Sequence, residues 1–322
     1  MRIETLPVSA IVPTRNRKAA LARMLESLEA QLLLPTELIV VDGSSDGSTR
    51  ELLSRYAVRW GPHCSVRFES AEELGAAVQR SQGMRASTQA FVWFLDDDIV
   101  FEPSCVARLW SALQADGGLG GVNAMITNQR YQSPGAFSRL LFRTLAGESR
   151  SSWAGSVIGP AFNLLPEDRA DLPEIVPVEW LNLGCTLYRR EALPSPLFDA
   201  QFTGYSLMED LALSLIVARK WRLANVRTAR IFHDSQQGSH KSNASELAEM
   251  ELVNRHFVMS SVQGKRGLKD VARLVVLELV SLTSVLRSPT SRGAFFAAIR
   301  GKARATRKIL ARARSARVGG HR

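Results

Sequence analysis

The stretch that decides the fold is Phe91-Val92-Trp93-Phe94-Leu95-Asp96-Asp97-Asp98. It begins as a short apolar run and ends in three acids. A run of this kind is typical of a strand that is buried on both faces of a parallel sheet. In open α/β sheets, ligands bind beyond the carboxyl ends of such strands. The stretch therefore predicts a sheet with a ligand site at the three aspartates.

Three adjacent carboxylates repel one another and are costly to bury, so they need either water or a cation. A divalent ion such as Mg²⁺, held by one or two carboxylates and by substrate phosphates, would supply the missing charge. The alternative is a solvated acidic turn that caps the following helix. Asp96, Asp97 and Asp98 alone do not decide between these interpretations.

The composition is that of an ordinary globular protein: 322 residues, 45% hydrophobic and 22% charged. The three cysteines fit no zinc or redox spacing, so we expect them to be reduced and mostly buried, which favours a cytosolic setting. We expect no signal peptide at the start of the chain and no membrane span within it.

The apolar periodicity before Asp98 predicts strands that alternate with helices. Leu21, Met24, Leu25 and Leu28 mark one helix face, and Leu74, Ala77, Val78 and Met84 mark another, from which Arg80 is expected to point away. From residue 127 to 174 no period is visible, and we expect a long loop that borders an acceptor site. Strands are expected at residues 8–12, 37–41, 66–68, 91–95, 117–125 and 223–232.

The segment Asp42-Gly43-Ser44-Ser45-Asp46-Gly47-Ser48 follows the second strand. An acid at a strand end can accept hydrogen bonds from a ribose hydroxyl or a base amide, and we assign Asp42 to this role. The alternative is a turn that tolerates Gly, Ser and Asp, with Asp46 or Ser48 capping the next helix, and we assign Asp46 to it.

Two further groups come later in the chain. Glu209 and Asp210 are expected in the first turn of a helix, where the helix dipole stabilises carboxylates, and this is an adequate structural explanation of them. His233 follows the strand at 223–232. A lone histidine is weak evidence, so it is either a metal ligand or a structural residue.

In order and spacing, these segments resemble the family 2 glycosyltransferases of the GT-A fold. The resemblance covers roughly residues 6 to 240, and no single motif carries it. The matching segments are Val12-Pro13-Thr14-Arg15-Asn16, the loop at 41–48, Arg80-Ser81-Gln82-Gly83, Leu95-Asp96-Asp97-Asp98, Gly184 to Arg190, and Glu209-Asp210.

The resemblance implies a metal-dependent transfer of a sugar from a nucleotide-diphosphate donor to an acceptor hydroxyl, with inversion, in the synthesis of a cell-surface polysaccharide or glycolipid. Asp210, beside Glu209, would be the catalytic base, and Asp98 and His233 would hold Mg²⁺ or Mn²⁺. Asp96 and Asp98 would be the two ends of the DXD motif. The donor would contact Pro13, Thr14, Arg15, Asp42, Arg80, Asp96 and Asp97.

The implied fold is a Rossmann-like, mostly parallel central sheet flanked by helices. Residues 1–240 would form the GT-A catalytic domain, with a nucleotide-binding half at 1–125 and an acceptor-binding half at 126–240. Residues 241–322 would form a helical, basic extension.

The net charge of +10 is concentrated in this extension. Residues 261–322 contain fifteen Lys and Arg against Asp270 and Glu278. Around Phe295, Ile299, Ile309 and Leu310 the pattern is that of a basic amphipathic helix, which binds anionic membranes. The alternative is a solvated tail. We therefore expect a cytoplasmic protein that is either free or peripheral on the membrane, and no nucleic-acid partner.

Two other functions fit the same fold class. A sugar nucleotidyltransferase would release pyrophosphate, but its phosphate loop is rich in glycine, and Pro13-Thr14-Arg15-Asn16 has none. A non-catalytic module that binds nucleotide sugars would bind the donor without turnover.

Overall fold

The computed structural model describes residues 4–31, 33–235, 243–285 and 291–319. The chain divides into two compact units. The first, here called the sheet unit, comprises Met1–Gln132, Ala154–Ser156 and Leu164–Gln236, and the second, the helical unit, comprises Ser133–Trp153, Val157–Asn163 and Gln237–Arg322. The predicted domain boundary at residue 240 lies outside the described residues and stays a prediction.

The described residues form strands and helices in alternation over the first half of the chain. The strands are β1 (Glu4–Thr14), β2 (Leu33–Asp42), β3 (Ser65–Ser70), β4 (Phe91–Leu95), β5 (Ile99–Phe101), β6 (Leu119–Ile126), β7 (Val157–Ile158), β8 (Phe162–Asn163), β9 (Ile175–Val178), β10 (Cys185–Arg189) and β11 (Arg222–His233). The helices are α1 (Lys18–Glu29), α2 (Ser48–Trp60), α3 (Ala76–Ala86), α4 (Cys105–Ala115), α5 (Ala136–Ala146), α6 (Glu209–Val217), α7 (Ala244–Phe257), α8 (Leu268–Val285) and α9 (Ser291–Gly319).

Nine described strands form the central sheet, in the order β3-β2-β1-β4-β10-β6-β11-β5, with β9 also paired to β11. β1, β2, β3, β4, β6 and β11 run in one direction, and β5, β9 and β10 run against them. The prediction of a mostly parallel α/β sheet flanked by helices is confirmed. The apolar run at 91–95 is the middle of this sheet, and its residues Val92 to Leu95 are buried.

The helix faces were predicted with mixed success. Leu21, Met24, Leu25 and Leu28 are all fully buried, as expected. The predicted face of α3 is wrong, because Leu74 is 49% exposed while Arg80 is only 4% exposed. The expected loop at 127–174 is also partly wrong, because it contains α5. Only Phe142 and Leu145 of that helix are buried.

The helical unit is built from α5, α7, α8 and α9 with the short hairpin of β7 and β8. Its core is apolar and contains Leu252, Val253, Met259, Leu274 and Ala305. α7 and α9 approach closely at Gly301, where an added Cβ would collide with the carbonyl oxygen of Ser245. The expected helix in the basic segment is therefore present.

A buried ion cluster joins three helices of this unit. The carboxylate of Glu278 on α8 lies between Arg255 of α7, at 3.3 Å, and Lys302 of α9. Arg255 also pairs with Glu251 at 2.7 Å and donates a 2.8 Å hydrogen bond to the carbonyl of Ala161, beside β8. In this cluster two carboxylates balance two cations, so the charges are paired where they are buried.

Candidate active site

The direction of the strands brings distant acids to one edge of the sheet. Parallel β2 and β4 end at Asp42 and just before Asp96, and the antiparallel β10 begins beside that point, with Cys185 opposite Leu95. The backbone N–H of Asp96 donates a 2.9 Å hydrogen bond to Gly184. β11 runs to the same edge, where His233 pairs with Ile99, the residue that follows Asp98.

This pairing assembles a group of possible metal ligands. Nε2 of His233 lies 3.0 Å from Oδ1 of Asp98 and 3.9 Å from Oδ2 of Asp96. One ligand atom of each residue lies within 4.8 Å of the others. Two carboxylates and an imidazole are a donor set suited to Mn²⁺ and acceptable to Mg²⁺, so these residues fit a divalent ion.

The second ring nitrogen and the backbone of His233 also have partners. Its Nδ1 lies 3.3 Å from Nε2 of Gln129, and Asn128 makes two hydrogen bonds to its backbone. Such outer contacts fix the orientation and tautomer of a ligating histidine. These contacts orient the ring of His233 with its Nε2 toward Asp96 and Asp98, which is compatible with a metal ligand and with a structural histidine bonded to Asp98.

Asp97 faces a different set of partners from its neighbours. It accepts a 2.6 Å hydrogen bond from Thr14 Oγ1 and a 3.2 Å bond from Arg17, which also reaches Asp98 at 3.1 Å. Burial raises the pKa of Asp97 to about 6. Arg17 was missed in the sequence. The sequence did contain a signal for Arg17, because a basic residue in the loop after β1 lies at the same edge of the sheet as the acids.

Asp42 ends β2 and is 2% exposed. Its Oδ1 accepts hydrogen bonds from the backbone N–H and the hydroxyl of Ser44, at 2.9 and 2.5 Å, while its buried Oδ2 has no hydrogen-bond partner among the described residues. A buried carboxylate oxygen of this kind is available to a donor group on a ligand. Asp46 instead accepts from the N–H of Ser48 at the start of α2.

Arg80 connects the two groups of acids. Its Nη2 lies 2.6 Å from Oδ1 of Asp96, and its Nη1 lies 3.1 Å from Oε1 of Glu209. The neighbouring Gln79 donates to the carbonyls of Thr14 and Val41 at the ends of β1 and β2. The buried side of α3 is therefore polar, because it satisfies strand-end carbonyls and carboxylates.

Glu209 and Asp210 occupy the first turn of α6, as predicted. Burial raises the pKa of Asp210 to about 6, although the N–H of Leu211, which donates to it at 2.7 Å, and Arg80 oppose the shift. Burial and the adjacent Asp210 raise the pKa of Glu209 well above its ordinary value. The two neighbouring acids thus have different proton affinities.

The remaining candidates line the same edge. Pro13 stays in β1, paired with Val41, and Arg15 is exposed in the loop that follows. Tyr205, missed in the sequence, lies near the acids, since burial and then Glu209 and Asp96 raise its pKa. The backbones of Gly75 and Gly204 form a bridge, and a Cβ at Gly75 would lie 2.7 Å from the Gly204 oxygen. This contact fixes the backbone of the segment that leads into α6.

Sequence comparison gives a family for the first part of the chain. Residues 9–145 match the family model described as Glycosyl transferase family 2. The chain is 32% identical to an uncharacterized glycosyltransferase of Escherichia coli, YibD, over 126 residues, which are 38% of this chain and 36% of that protein. It is 29% identical to a PGL/p-HBAD biosynthesis glycosyltransferase of Mycobacterium bovis over 140 residues, 42% of this chain and 54% of that protein. The matches thus span about a third to a half of these relatives.

Fold comparison reaches further along the chain. A mannosyltransferase from Pyrobaculum calidifontis, solved with GDP-Man and Mn²⁺, superposes with a TM-score of 0.55 at 17% identity, covering 93% of this chain and 87% of that one. GalNAc-T7, solved with UDP, GalNAc and Mn²⁺, gives 0.52 at 16% identity, covering 76% and 47%. Together, these comparisons show that residues 9–145 match family 2 glycosyltransferases and that the chain has the fold of the GT-A enzymes.

Proposed function

We propose that this protein transfers a sugar from a nucleotide-diphosphate donor to an acceptor hydroxyl, with a divalent metal ion and with inversion at the anomeric carbon. The observation that carries the proposal is the arrangement of two acid groups joined by Arg80. Asp96 and Asp98 lie with His233 on one side, and Glu209 and Asp210 lie on the other. Such a site can hold a diphosphate and activate a hydroxyl separately.

On the donor side, Asp96, Asp98 and His233 would hold Mg²⁺ or Mn²⁺. When bound, the ion offsets the negative charge that develops on the leaving diphosphate. The unpartnered Oδ2 of Asp42 would accept a hydrogen bond from the nucleoside. Thr14 and Arg17 hold Asp97, which leaves Asp96 and Asp98 facing His233.

On the acceptor side, Asp210 is the better base. An alcohol is a poor nucleophile, and a carboxylate within about 3 Å should take its proton as it attacks. With a pKa of about 6, Asp210 is mostly ionised at neutral pH and still has some affinity for a proton. Glu209 is held by Arg80 at 3.1 Å, which leaves Asp210 as the proposed base. A single base and one displacement give inversion.

The comparisons support a nucleotide-sugar donor, because structures with the same fold hold GDP-Man or UDP together with Mn²⁺. One relative is named for PGL/p-HBAD biosynthesis, and synthesis of a cell-surface polysaccharide or glycolipid remains our proposal for the product. A cytoplasmic protein, free or peripheral on the membrane, remains our proposal for the location. Residues 126–240 remain our proposal for the acceptor half.

The test begins with the donor. The purified full chain is screened for thermal stabilisation by UDP-sugars and GDP-sugars with Mn²⁺, Mg²⁺ or EDTA, since a ligand of the native state raises Tm. The stabilising donor is then incubated with a lipid extract and a polysaccharide extract as acceptors. Release of nucleoside diphosphate together with a glycosylated product is expected. Release of pyrophosphate, or binding without turnover, would refute the proposal.

Asp210→Asn should keep the donor-induced rise in Tm but lower kcat by about 10²–10⁴-fold, the usual contribution of a general base. Asp46→Asn is the matched control, because Asp46 is an exposed acid that only caps α2. Near wild-type turnover of the Asp210 variant would remove the base assignment.

A further inference from the structure

α8 presents an apolar face to solvent. Leu268, Val271, Val275 and Leu279 are 91%, 44%, 52% and 57% exposed. They follow one another at spacings of three and four residues, so they lie along one side of the helix. Leu274 and Leu277 are buried on the opposite side. A continuous aliphatic face of this kind is uncommon on a monomeric protein and marks a contact surface.

α5 adds to this apolar surface. Its Phe137 and Leu140 are 67% and 63% exposed. α5 and α8 are in contact within the helical unit, and the guanidinium of Arg273 on α8 lies beside Gly147, which ends α5. The exposed side of α5 also carries Arg139 and Arg143. We call the exposed residues of α5 and α8 the docking face.

Basic residues predominate around the docking face. Arg266 and Lys269 are exposed at the start of α8. Among the described residues of α5, α8 and α9 no exposed side chain is acidic. Asp270 is partly buried and accepts from the N–H of Gly267, Glu278 is buried in its ion cluster, and the exposed Glu148 after α5 pairs with Arg150 at 2.6 Å. The charge around the apolar residues is therefore mainly positive.

We propose that the docking face binds the surface of an anionic lipid bilayer. Aliphatic side chains would enter the boundary between headgroups and acyl chains, and the basic residues would meet the phosphates. A second copy of the chain fits less well, because a two-fold contact would bring the like charges together.

The basic segment, where the sequence pattern suggested this role, is used only in part within the helical unit. On one side of α9, Ala305 is buried in the core and Ile309 packs against it. Arg304 and Lys308 both bind Glu249 at 2.5 Å. On α9, Phe296 and Leu310 are 61% and 54% exposed. The docking face therefore adds to the expected membrane contact of the basic segment and does not replace it.

The test is flotation of the full chain with vesicles of phosphatidylcholine alone and with about one-third phosphatidylglycerol. Wild type should bind the anionic vesicles and not the neutral ones. Val275→Gln/Leu279→Gln should weaken binding by about tenfold or more, because two exposed apolar side chains no longer enter the bilayer. Both residues are already exposed, so folding, checked by circular dichroism, should be unchanged.

Val58→Gln is the control. Val58 lies on α2 of the sheet unit and is 86% exposed, so its substitution should leave flotation unaltered. Arg139→Gln/Lys269→Gln should reduce the preference for anionic lipid. Undiminished flotation of the Val275 and Leu279 variant would overturn the proposal. So would a wild-type dimer in lipid-free solution that this variant dissociates. Flotation needs no turnover, so a failed transferase assay leaves this result intact.

Discussion

Two charge clusters of this protein differ in their balance. At the sheet edge, the ion pairs of Asp96, Asp97, Asp98 and Glu209 with guanidinium groups among the described residues are made by Arg17 and Arg80, and Asp210 lies beside them. In the helical unit, Glu251 and Glu278 meet Arg255 and Lys302, one cation for each acid. Balanced charges are sufficient to hold helices together. The excess of carboxylates at the sheet edge supports our proposal that this site binds a cation.

The largest expected effect tests the excess of carboxylates at the sheet edge. Asp98→Asn removes a proposed metal ligand, and the loss of several kcal/mol of charge stabilisation should lower kcat/KM by about 10³-fold or more. Isothermal titration with Mn²⁺ should show correspondingly weaker binding. Asp46→Asn should change neither value. Unchanged Mn²⁺ affinity in the Asp98 variant would mean that the acids at the sheet edge are not a metal site.

The second prediction tests the balanced cluster. Glu278→Leu leaves Arg255 and Lys302 buried without their shared partner, which should cost about 3–5 kcal/mol of unfolding free energy. The triple variant Arg255→Met/Glu278→Leu/Lys302→Met should recover much of this loss. Urea denaturation followed by circular dichroism measures both. If Glu278→Leu left the free energy of unfolding unchanged, the cluster around Glu278 would not stabilise the helical unit, and the comparison of the two clusters would be wrong.

The third prediction concerns the residue that joins the two acid groups. Arg80→Gln removes two charged hydrogen bonds, at about 1.5–3 kcal/mol each, and should lower kcat by about 10²-fold. Because Arg80 lowers the pKa of Asp210, the variant should also need a higher pH for activity. Arg80→Lys should restore part of kcat. A purely structural role for Arg80 would lower Tm and leave the pH profile in place.

The fourth prediction is a substitution that should raise the free energy of unfolding, whereas Glu278→Leu should lower it. The pKa of Asp210 is raised, so ionisation opposes folding, and stability is lost as pH rises from about 4 through about 6. Without metal, Asp210→Asn should therefore unfold at a higher temperature than wild type at pH 8, by the equivalent of about 1–3 kcal/mol. At pH 4 the difference should vanish. Scanning calorimetry at both pH values measures the difference in Tm. A variant with a lower Tm than wild type at pH 8 would contradict the view that the charge of Asp210 destabilises the fold.

The smallest effect is on the pH profile. If Asp210 is the base, kcat/KM at saturating Mn²⁺ should fall about tenfold per pH unit below about 6, because the protonated acid accepts no proton. Above that pH the rate should be level until other groups titrate. A stopped assay of nucleoside diphosphate release from pH 5 to 8 measures this. A flat profile would assign the base elsewhere.

Much of this arrangement was predictable from local patterns. Asp42, Asp96 and Asp98 were found because they follow apolar strands, and parallel strands end at one edge. Glu209 and Asp210 were expected at the start of a helix, but only the resemblance to family 2 glycosyltransferases gave them a role in the site. The buried side of α3 was predicted wrongly, because periodicity counts apolar residues and this helix buries Gln79 and Arg80. Such failures of local rules are expected at functional sites.

Other features depend on tertiary contacts that leave no local trace. Arg17 and Tyr205 sit in irregular segments, and only the direction of the strands brings them to the acids. α5 was missed although Phe137, Leu141 and Leu145 recur at every fourth residue, because the segment around it is irregular. The balance of charge around Glu278 joins residues on three helices and needed the structure.

The late position of β11 has a consequence for synthesis of the protein. Asp96 and Asp98 leave the ribosome long before His233, which reaches them only when β11 pairs with β6 and β5. A nascent chain that stops before Arg222 has the two aspartates but not the histidine. The proposed metal site is therefore complete only after β11 has joined the sheet.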